Sequence, residues 1–204
     1  MGIIMQLYDQ VAVAVLAGGK SSRMGRSKPN LPAAGNDTLL TRLCSAVGDF
    51  RHRYLCVNAS QQELQVPGFV RIVDRYEGAG PAGAICTLLG CIETDAVLVL
   101  ACDMPYYDRS AAEEILSHYR GEDVVTAVTA GRRQPVAAIY HKRLLPLFEH
   151  AVERGELRPG RIVETAGGVF FQSRLSRQYL NLNTPEEYRE YCRSEGIDPA
   201  AAEL

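Results

Sequence analysis

The sequence predicts an α/β protein that forms one domain around a mostly parallel sheet. A chain of 204 residues is long for one minimal domain and short for two. Hydrophobic residues make up 47% of it and charged residues 23%, which is the composition of an ordinary globular protein. Short apolar runs alternate with segments long enough for a helix, as βαβ units require. We therefore expect residues 1–204 to form a single domain, with 1–10 as an N-terminal extension and 194–204 as a C-terminal tail.

Four apolar runs are the predicted strands in the first half of the chain. The first run, 11–17, is continuous, rich in valine and followed by two glycines, which is typical of a strand buried on both faces of a parallel sheet. The other three predicted strands are 54–57, 70–73 and 96–101. The last of them ends before Cys102-Asp103-Met104-Pro105, where proline stops regular structure.

The remaining segments are expected to be helices and further strands. The apolar pattern predicts helices at 38–47, 84–92, 109–119 and 143–153. Strands are expected at 124–128, 136–140 and 168–172, the first two joined by a turn at 130–133, and an extended segment at 179–183. Thr184-Pro185-Glu186-Glu187 is typical of a capping box with proline in the first helical position, so a last helix is predicted from there to about residue 193.

Composition excludes several classes of partner and site. The 22 lysines and arginines nearly balance the 24 acidic residues, so no general electrostatic attraction to nucleic acid is expected and any anion site must be local. No stretch approaches the roughly 20 apolar residues that span a bilayer, so no membrane association is expected. Residues 1–10 carry no basic residue, unlike a secretory signal, and the six cysteines form no C-x-x-C pair. We expect a cytoplasmic protein.

A glycine-rich stretch with several basic residues follows the first predicted strand. It consists of Leu16-Ala17-Gly18-Gly19-Lys20-Ser21-Ser22-Arg23-Met24-Gly25, and Lys28 follows it closely. Glycines let backbone N–H groups approach a phosphate chain, and the local positive charge favours this interpretation over a merely structural turn. A Walker A loop is excluded because Ala14 stands where its first glycine belongs, and the glycine spacing also fails the Rossmann fingerprint. The stretch therefore predicts a nucleoside triphosphate site.

Asp103 is the predicted metal ligand. It follows the buried strand 96–101, and open parallel sheets bind ligands at the carboxyl ends of their strands. Because Mg²⁺ keeps several waters and takes one or two protein carboxylates plus phosphates, a single aspartate suffices. Asp74 closes the third predicted strand in the same way. Asn58 follows the second, where a solvated turn residue is the simpler interpretation.

Four motifs together resemble those of the molybdenum cofactor guanylyltransferases, a MobA-like nucleotidyltransferase family. The glycine-rich stretch matches the signature L-A-G-G-x-S-x-R-M-G-x-D-K, except that Ser27 replaces the acidic residue before the lysine. The other three motifs are Cys102-Asp103-Met104-Pro105, Asp74 with Gly80-Pro81-Ala82-Gly83, and Asn181-Leu182-Asn183-Thr184-Pro185-Glu186-Glu187. The resemblance extends from residue 11 to about 188 and implies a Rossmann-like, three-layer nucleotidyltransferase fold.

The resemblance implies roles for individual residues. The catalytic residues would be Lys28, Arg23 and Asp103, of which Asp103 would also hold Mg²⁺. The nucleotide-binding residues would be Leu16, Ala17, Gly18, Gly19, Arg23, Lys28, Asn58, Asp74, Gly80, Pro81 and Asp103. The acceptor-binding residues would be Gln134, Pro135, Asn181 and Asn183. Three further arginines are either solvated surface charges or cations for a phosphorylated acceptor, namely Arg154, Arg158 and Arg161.

The implied reaction is transfer of GMP from Mg-GTP to the phosphate of molybdopterin, or of its molybdenum-bearing form, with release of pyrophosphate. Other proteins of molybdenum cofactor biosynthesis, or apo-molybdoenzymes, would be its protein partners. Two alternatives stay open. One is a related nucleotidyltransferase that uses CTP or another small phosphorylated acceptor, since one fold serves many acceptors. The other is a GTP-binding regulatory module without catalysis, which the loss of the acidic residue at Ser27 favours.

Overall fold

The strands of the protein form one mixed sheet. A computed structural model describes residues 2–18, 28–61 and 63–198. The strands in these ranges are β1 (Val11–Leu16), β2 (Arg53–Val57), β3 (Val70–Val73), β4 (Ala96–Ala101), β5 (Val124–Thr129), β6 (Arg132–His141) and β7 (Val169–Gln172). Their order is β3-β2-β1-β4-β6-β5-β7. Only β6 runs antiparallel to its neighbours among these described strands, so the prediction of a mostly parallel sheet is confirmed.

The first six of the seven α-helices in the described ranges pack on the two faces of this sheet, and the seventh packs on a separate cluster. The seven helices are α1 (Gly2–Gln10), α2 (Leu39–Ala46), α3 (Gly80–Leu89), α4 (Arg109–Ser117), α5 (Leu145–Glu153), α6 (Pro159–Ala166) and α7 (Pro185–Glu195). No helix in the described ranges is long and apolar enough to cross a membrane.

The central strand β1 explains the three layers. All six of its residues are buried, and alternate side chains point to opposite faces of a strand. Val13 and Val15 belong to the core cluster that contains side chains of α2 and α4. Ala12 and Ala14 belong to the cluster on the other face, which contains side chains of α3, α5 and α6. The sheet is therefore covered by helices on both faces, as the sequence predicts.

The parallel strands bring their carboxyl ends to one edge of the sheet. Leu16, the last residue of β1, lies opposite Cys56 of β2 and Ala101 of β4. Cys56 in turn lies opposite Ile72 of β3. Polar residues that follow these strands at distant points of the sequence therefore meet at a single edge, which we call the carboxyl edge.

Two elements start four residues earlier than predicted. Strand β6 begins at Arg132, four residues before the predicted start, because Ala130 and Gly131 alone make the turn with φ values of 48° and 73°. Helix α3 begins at Gly80 rather than at residue 84, because Pro81 is favourable in a first helical turn. The predicted extended segment 179–183 lies outside the sheet.

Residues 2–10 form a helix that is part of the core. Leu7 and Tyr8 are buried in the cluster on the α2 and α4 face, and the ring of Tyr8 packs edge-on against Phe50 with centroids 4.8 Å apart. Met5 of the same helix is 58% exposed. The segment expected as an extension therefore contributes to the stability of the domain.

We expect Leu7→Ala to lower the free energy of unfolding by about 2–4 kcal/mol, because it leaves a cavity in the core. Met5→Ala in the same helix is the matched control and should change it by less than about 0.5 kcal/mol. Urea denaturation of the three proteins measures both values. Equal effects of the two substitutions would show that α1 is a loosely attached extension.

Candidate active site

Lys28 and Asp103 form an ion pair at the carboxyl edge. Lys28 starts a short 3₁₀ helix (Lys28–Asn30), and its Nζ donates hydrogen bonds to Asp103 Oδ2 and to the Leu182 carbonyl oxygen, both at 2.8 Å. The side chains of Lys28 and Asp103 are only 22% and 14% exposed. A charge-assisted hydrogen bond that is shielded from water is stronger than an exposed surface pair. The structure thus brings together the lysine and the aspartate that the sequence predicts as catalytic.

The second oxygen of Asp103 is a candidate metal ligand. Asp103 Oδ1 is buried and has no hydrogen-bond partner among the described residues, and the same is true of Asn181 Oδ1. Leaving a buried oxygen unpaired costs free energy, so a ligand that pairs with it would bind favourably. Carboxylate and amide oxygens suit Mg²⁺, which needs only one or two protein carboxylates beside phosphate oxygens. No group of three acidic, histidine or cysteine ligands lies in the described ranges.

Gly18 and Asn58 contact each other where β1 and β2 end. A Cβ atom on Gly18 would lie 2.5 Å from Asn58 Oδ1, so a larger residue does not fit there without a shift of Asn58. Gln61 links the same two segments by hydrogen bonds. Its Nε2 donates to the Ala17 carbonyl at 3.0 Å, and its Oε1 accepts from the Asn58 N–H at 3.1 Å. Asn58 is therefore more than a solvated turn residue, since its side chain packs against the start of the glycine-rich loop.

The remaining residues predicted for this loop are partly buried and partly outside the described ranges. The side chains of Leu16 and Ala17 are buried, so only their backbone is available to a nucleotide. Gly19 and Arg23 lie outside the described residues, and so does Ser27.

Asp74 connects the end of β3 to α3 through hydrogen bonds. Its Oδ1 accepts hydrogen bonds from the Tyr76 N–H at 3.0 Å and from Thr87 Oγ1 at 2.9 Å. Gly80 and Pro81 form the exposed first turn of α3, where Gly80 has a φ of 58° and the N-cap residue Ala79 makes no side-chain cap. The unpaired N–H groups of a helix start favour negative charge. Asp74, Gly80 and Pro81 therefore lie beside the carboxyl edge. One carboxylate oxygen of Asp74 already accepts hydrogen bonds from the protein itself.

Gln134 and Pro135 lie in an irregular part of β6 at the same edge. The pairing of β5 and β6 shifts between Thr126 and Val128, opposite these two residues. The buried Thr126 Oγ1 donates to the Gln134 carbonyl at 2.8 Å, and Gln134 Nε2 donates to Thr129 Oγ1 at 2.7 Å. In the antiparallel pairing of β4 with β6, Ala137 lies opposite Leu100, near the end of β4. Gln134 and Pro135, which come earlier in β6, therefore lie beyond that end.

The two asparagines of the last motif differ in exposure. Asn181 is half-buried and its Nδ2 donates to the Tyr179 carbonyl at 3.3 Å, whereas Asn183 is exposed. Leu182 between them donates its N–H to the Asp103 carbonyl at 2.9 Å, which fixes this segment beside the ion pair. Asn181 is thus the chain neighbour of the residue that bonds the Asp103 carbonyl, whereas Asn183 is open to solvent.

Two side chains with a role at this edge were missed by the sequence analysis. Gln61 stands in a polar turn whose composition resembles any other loop, and Thr87 lies inside an apolar helix. Each forms a hydrogen bond with a residue that only the folded chain brings near. Gln61 and Ala17 are 44 residues apart in the sequence, and Thr87 and Asp74 are 13 residues apart. No local pattern signals such contacts.

Cys102 beside Asp103 is a packing residue. Burial raises the pKa of its thiol above the ordinary value, and the carboxylate of Asp103 raises this pKa further. The thiol therefore stays protonated near neutral pH and is no nucleophile. All six cysteines are free thiols and five of them are buried.

The sequence matches a known family. The family model described as a MobA-like NTP transferase domain matches residues 13–169, which is more than half of the chain. The chain belongs to this family. This nucleotidyltransferase is 30% identical over 196 residues to a probable molybdenum cofactor guanylyltransferase from Carboxydothermus hydrogenoformans, and the match covers 91% of the chain and 96% of the relative.

Solved structures with the same fold include enzymes with different acceptors. The molybdopterin-guanine dinucleotide biosynthesis protein A from Archaeoglobus fulgidus has a TM-score of 0.71 and 20% identity, covering 89% of this chain and 96% of that one. The 2-C-methyl-D-erythritol 4-phosphate cytidylyltransferase from Thermus thermophilus has a TM-score of 0.70 and 16% identity, covering 92% and 100%. At these identities the likeness concerns the nucleotidyltransferase fold alone.

We expect Gly18→Ala to destabilise this nucleotidyltransferase by about 1–3 kcal/mol, because its Cβ would overlap Asn58 Oδ1. In the Asn58→Ala background the overlapping atoms are gone, so the same substitution should cost less than about 0.5 kcal/mol. Urea denaturation of the four proteins gives the coupling. Additive effects would mean that Gly18 and Asn58 do not touch.

Proposed function

We propose that this protein transfers GMP from Mg-GTP to the phosphate of molybdopterin, or of its molybdenum-bearing form, and releases pyrophosphate. The observation that carries the proposal is the contact of Lys28 with Asp103 at the carboxyl edge, at 2.8 Å and beside the start of the glycine-rich loop. The similarity to the probable molybdenum cofactor guanylyltransferase of Carboxydothermus hydrogenoformans supports the choice of guanine nucleotide and molybdenum cofactor.

The nucleotide would bind across the ends of β1, β2 and β3. Gly18 and Gly19 would admit the triphosphate close to the backbone, and Arg23 and Lys28 would neutralise its charge. Backbone groups at Leu16, Ala17, Gly80 and Pro81, with the polar residues Asn58 and Asp74, would complete this side of the site. The close packing of Gly18 on Asn58 supports a fixed start of the loop.

Asp103 would hold the metal ion through its buried Oδ1, while Oδ2 keeps its contact with Lys28. When bound, Mg²⁺ would orient the triphosphate and draw charge from its oxygens. Lys28 would then stabilise negative charge that develops on the phosphates, because its ammonium group lies at the same carboxylate. Removing either charge should therefore affect the rate more than the fold.

The acceptor would attack without an enzyme nucleophile. A phosphate monoester has a second pKa near 6, so its dianion is abundant at neutral pH. One acceptor oxygen would form a bond to the α-phosphorus of GTP, while the bond from that phosphorus to the bridging oxygen breaks and its electron pair leaves on pyrophosphate. The protein's contribution is positioning and charge neutralisation.

The acceptor would lie beside Gln134, Pro135, Asn181 and Asn183. The start of α6 borders this region, since a Cβ atom on Gly160 would lie 3.8 Å from Pro135 Cγ. Arg158 and Arg161 are exposed near this helix start and face Glu156 at 3.4 and 3.5 Å. Exposed pairs of this kind are weak, so these arginines can turn to an acceptor phosphate. Arg154 is a third cation nearby in the sequence.

Proteins that deliver molybdopterin, or apo-molybdoenzymes that receive the product, would dock at this side.

We expect Lys28→Ala and Asp103→Asn each to lower the rate of pyrophosphate release from Mg-GTP and molybdopterin roughly 100-fold or more. Lys142→Ala is the matched control, because its Nζ bonds the Ile92 carbonyl away from the carboxyl edge and its loss should leave the rate unchanged. A coupled pyrophosphate assay measures all four proteins. Near-normal rates of the first two variants would refute these roles.

A second measurement separates the guanylyltransferase from its alternatives. We expect Mg-GTP to protect the protein against thermal unfolding more than Mg-CTP, Mg-ATP or Mg-UTP, because a ligand stabilises only the folded state that binds it. Protection by CTP equal to that by GTP would favour the cytidylyl alternative. Protection by GTP without pyrophosphate release, with molybdopterin present, would favour a regulatory module.

A further inference from the structure

We propose that helix α7 positions Lys28, and that Tyr188 and Tyr191 are positioning residues of the nucleotide site. The last motif would then serve the nucleotide side as well as the acceptor side. The proposal rests on the role proposed above for Lys28. It concerns residues that make no contact with a substrate and act through the segment that carries the lysine.

The segment after Lys28 is buried against α7 rather than in either face of the sheet. Its buried side chains share a separate core cluster with side chains of α7 and with Leu182, three residues before α7. The members of this cluster are Leu31, Ala33, Leu39, Leu182, Tyr188, Tyr191 and Cys192. The place of Lys28 therefore depends on a helix that begins more than 150 residues later in the sequence.

Two tyrosine hydroxyls bond the backbone of this segment. Tyr188 is fully buried and donates to the Pro32 carbonyl at 2.9 Å. Tyr191 accepts a hydrogen bond from the Ala34 N–H at 3.3 Å. Pro32 also pairs with Thr38 in an isolated β-bridge. The hydroxyls thus fix the bend that follows the 3₁₀ helix of Lys28.

Leu182, three residues before the start of α7, contacts both members of the ion pair. Leu182 donates its N–H to the Asp103 carbonyl at 2.9 Å and accepts from Lys28 Nζ at 2.8 Å through its own carbonyl. The start of α7 is fixed by a capping box between Thr184 and Glu187, and Glu187 also accepts from the Asn183 N–H. One C-terminal element therefore sets the distance between Lys28 and Asp103.

Chemistry explains why a lysine needs such support. Its ammonium group ends a flexible four-carbon chain, and ordering that chain on a ligand costs conformational entropy. A backbone that is already held by α7 leaves only the side chain to be ordered. Removing one hydroxyl from α7 should loosen the segment without removing any group that touches the nucleotide.

The first test measures the accessibility of Lys28 in the absence of any nucleotide. The chain contains only three lysines, Lys20, Lys28 and Lys142, so acetylation of each is resolved by mass spectrometry. We expect Tyr188→Phe to raise the rate of Lys28 acetylation roughly threefold to tenfold, the factor expected for one lost hydrogen bond, while Lys142 stays unchanged.

Tyr106→Phe is the matched control for this test. The Tyr106 hydroxyl lies 3.1 Å from Ser194 Oγ of α7, so the variant removes a tyrosine hydroxyl that contacts α7 but none that contacts the segment of Lys28. Its Lys28 acetylation should match that of the unchanged protein. Tyr191→Phe provides the second test variant should Tyr188→Phe fail to fold. Unchanged Lys28 acetylation in a folded variant of either tyrosine would overturn the proposal.

The second test is a double-substitution cycle read by Mg-GTP affinity. Tyr188→Phe should weaken binding roughly threefold to tenfold in the unchanged background and have no further effect in the Lys28→Ala background. An equal loss in both backgrounds would show that Tyr188 acts on the fold in general, and would overturn its positioning role. Failure of the unchanged protein to bind Mg-GTP would count against the proposed function, while the acetylation test would still decide whether α7 holds Lys28.

Discussion

The candidate site is organised around the contact of the Lys28 ammonium group with the Asp103 carboxylate and the Leu182 carbonyl. It joins parts of the chain that are 75 and 154 residues apart. Asp103 reaches it because β4 lies beside β1 with its carboxyl end at the same edge. Lys28 reaches it because the segment that carries it packs on α7. Strand order and helix docking thus converge on one ion pair.

The central strands could be predicted from the sequence because their signal is local. Strands β1 and β4 are buried on both faces, so each is a continuous apolar run that ends at a glycine or a proline motif. Helix α1 could not be predicted in this way, because Leu7 and Tyr8 are the buried residues among its described side chains and Ile4 is partly buried, which is too few for a clear periodic pattern. The early start of β6 depends on two left-handed turn residues, a feature that hydrophobic periodicity does not report.

The residues of the candidate site can likewise be divided into those that a local sequence pattern predicts and those that it does not. Asp74 and Asp103 directly follow predicted strands, so topology together with the family resemblance led us to expect them at one edge, whereas Lys28 was expected there from the charge of the glycine-rich stretch and from the resemblance. The groups that hold the candidate site together were not predictable. The amide of Gln61, the hydroxyl of Thr87 and the carbonyl of Leu182 each bond a partner that only the folded chain brings near. Backbone carbonyls carry no sequence signal at all.

The central claim is that Lys28 and Asp103 act as one unit in binding Mg-GTP. The most direct measurement is a double-substitution cycle of Lys28→Ala and Asp103→Asn, with Mg-GTP affinity determined by titration calorimetry. The account predicts that each substitution alone weakens binding and that the two together cost at least about 1 kcal/mol less than the sum of their separate effects. Effects that add to within about 0.5 kcal/mol would contradict it.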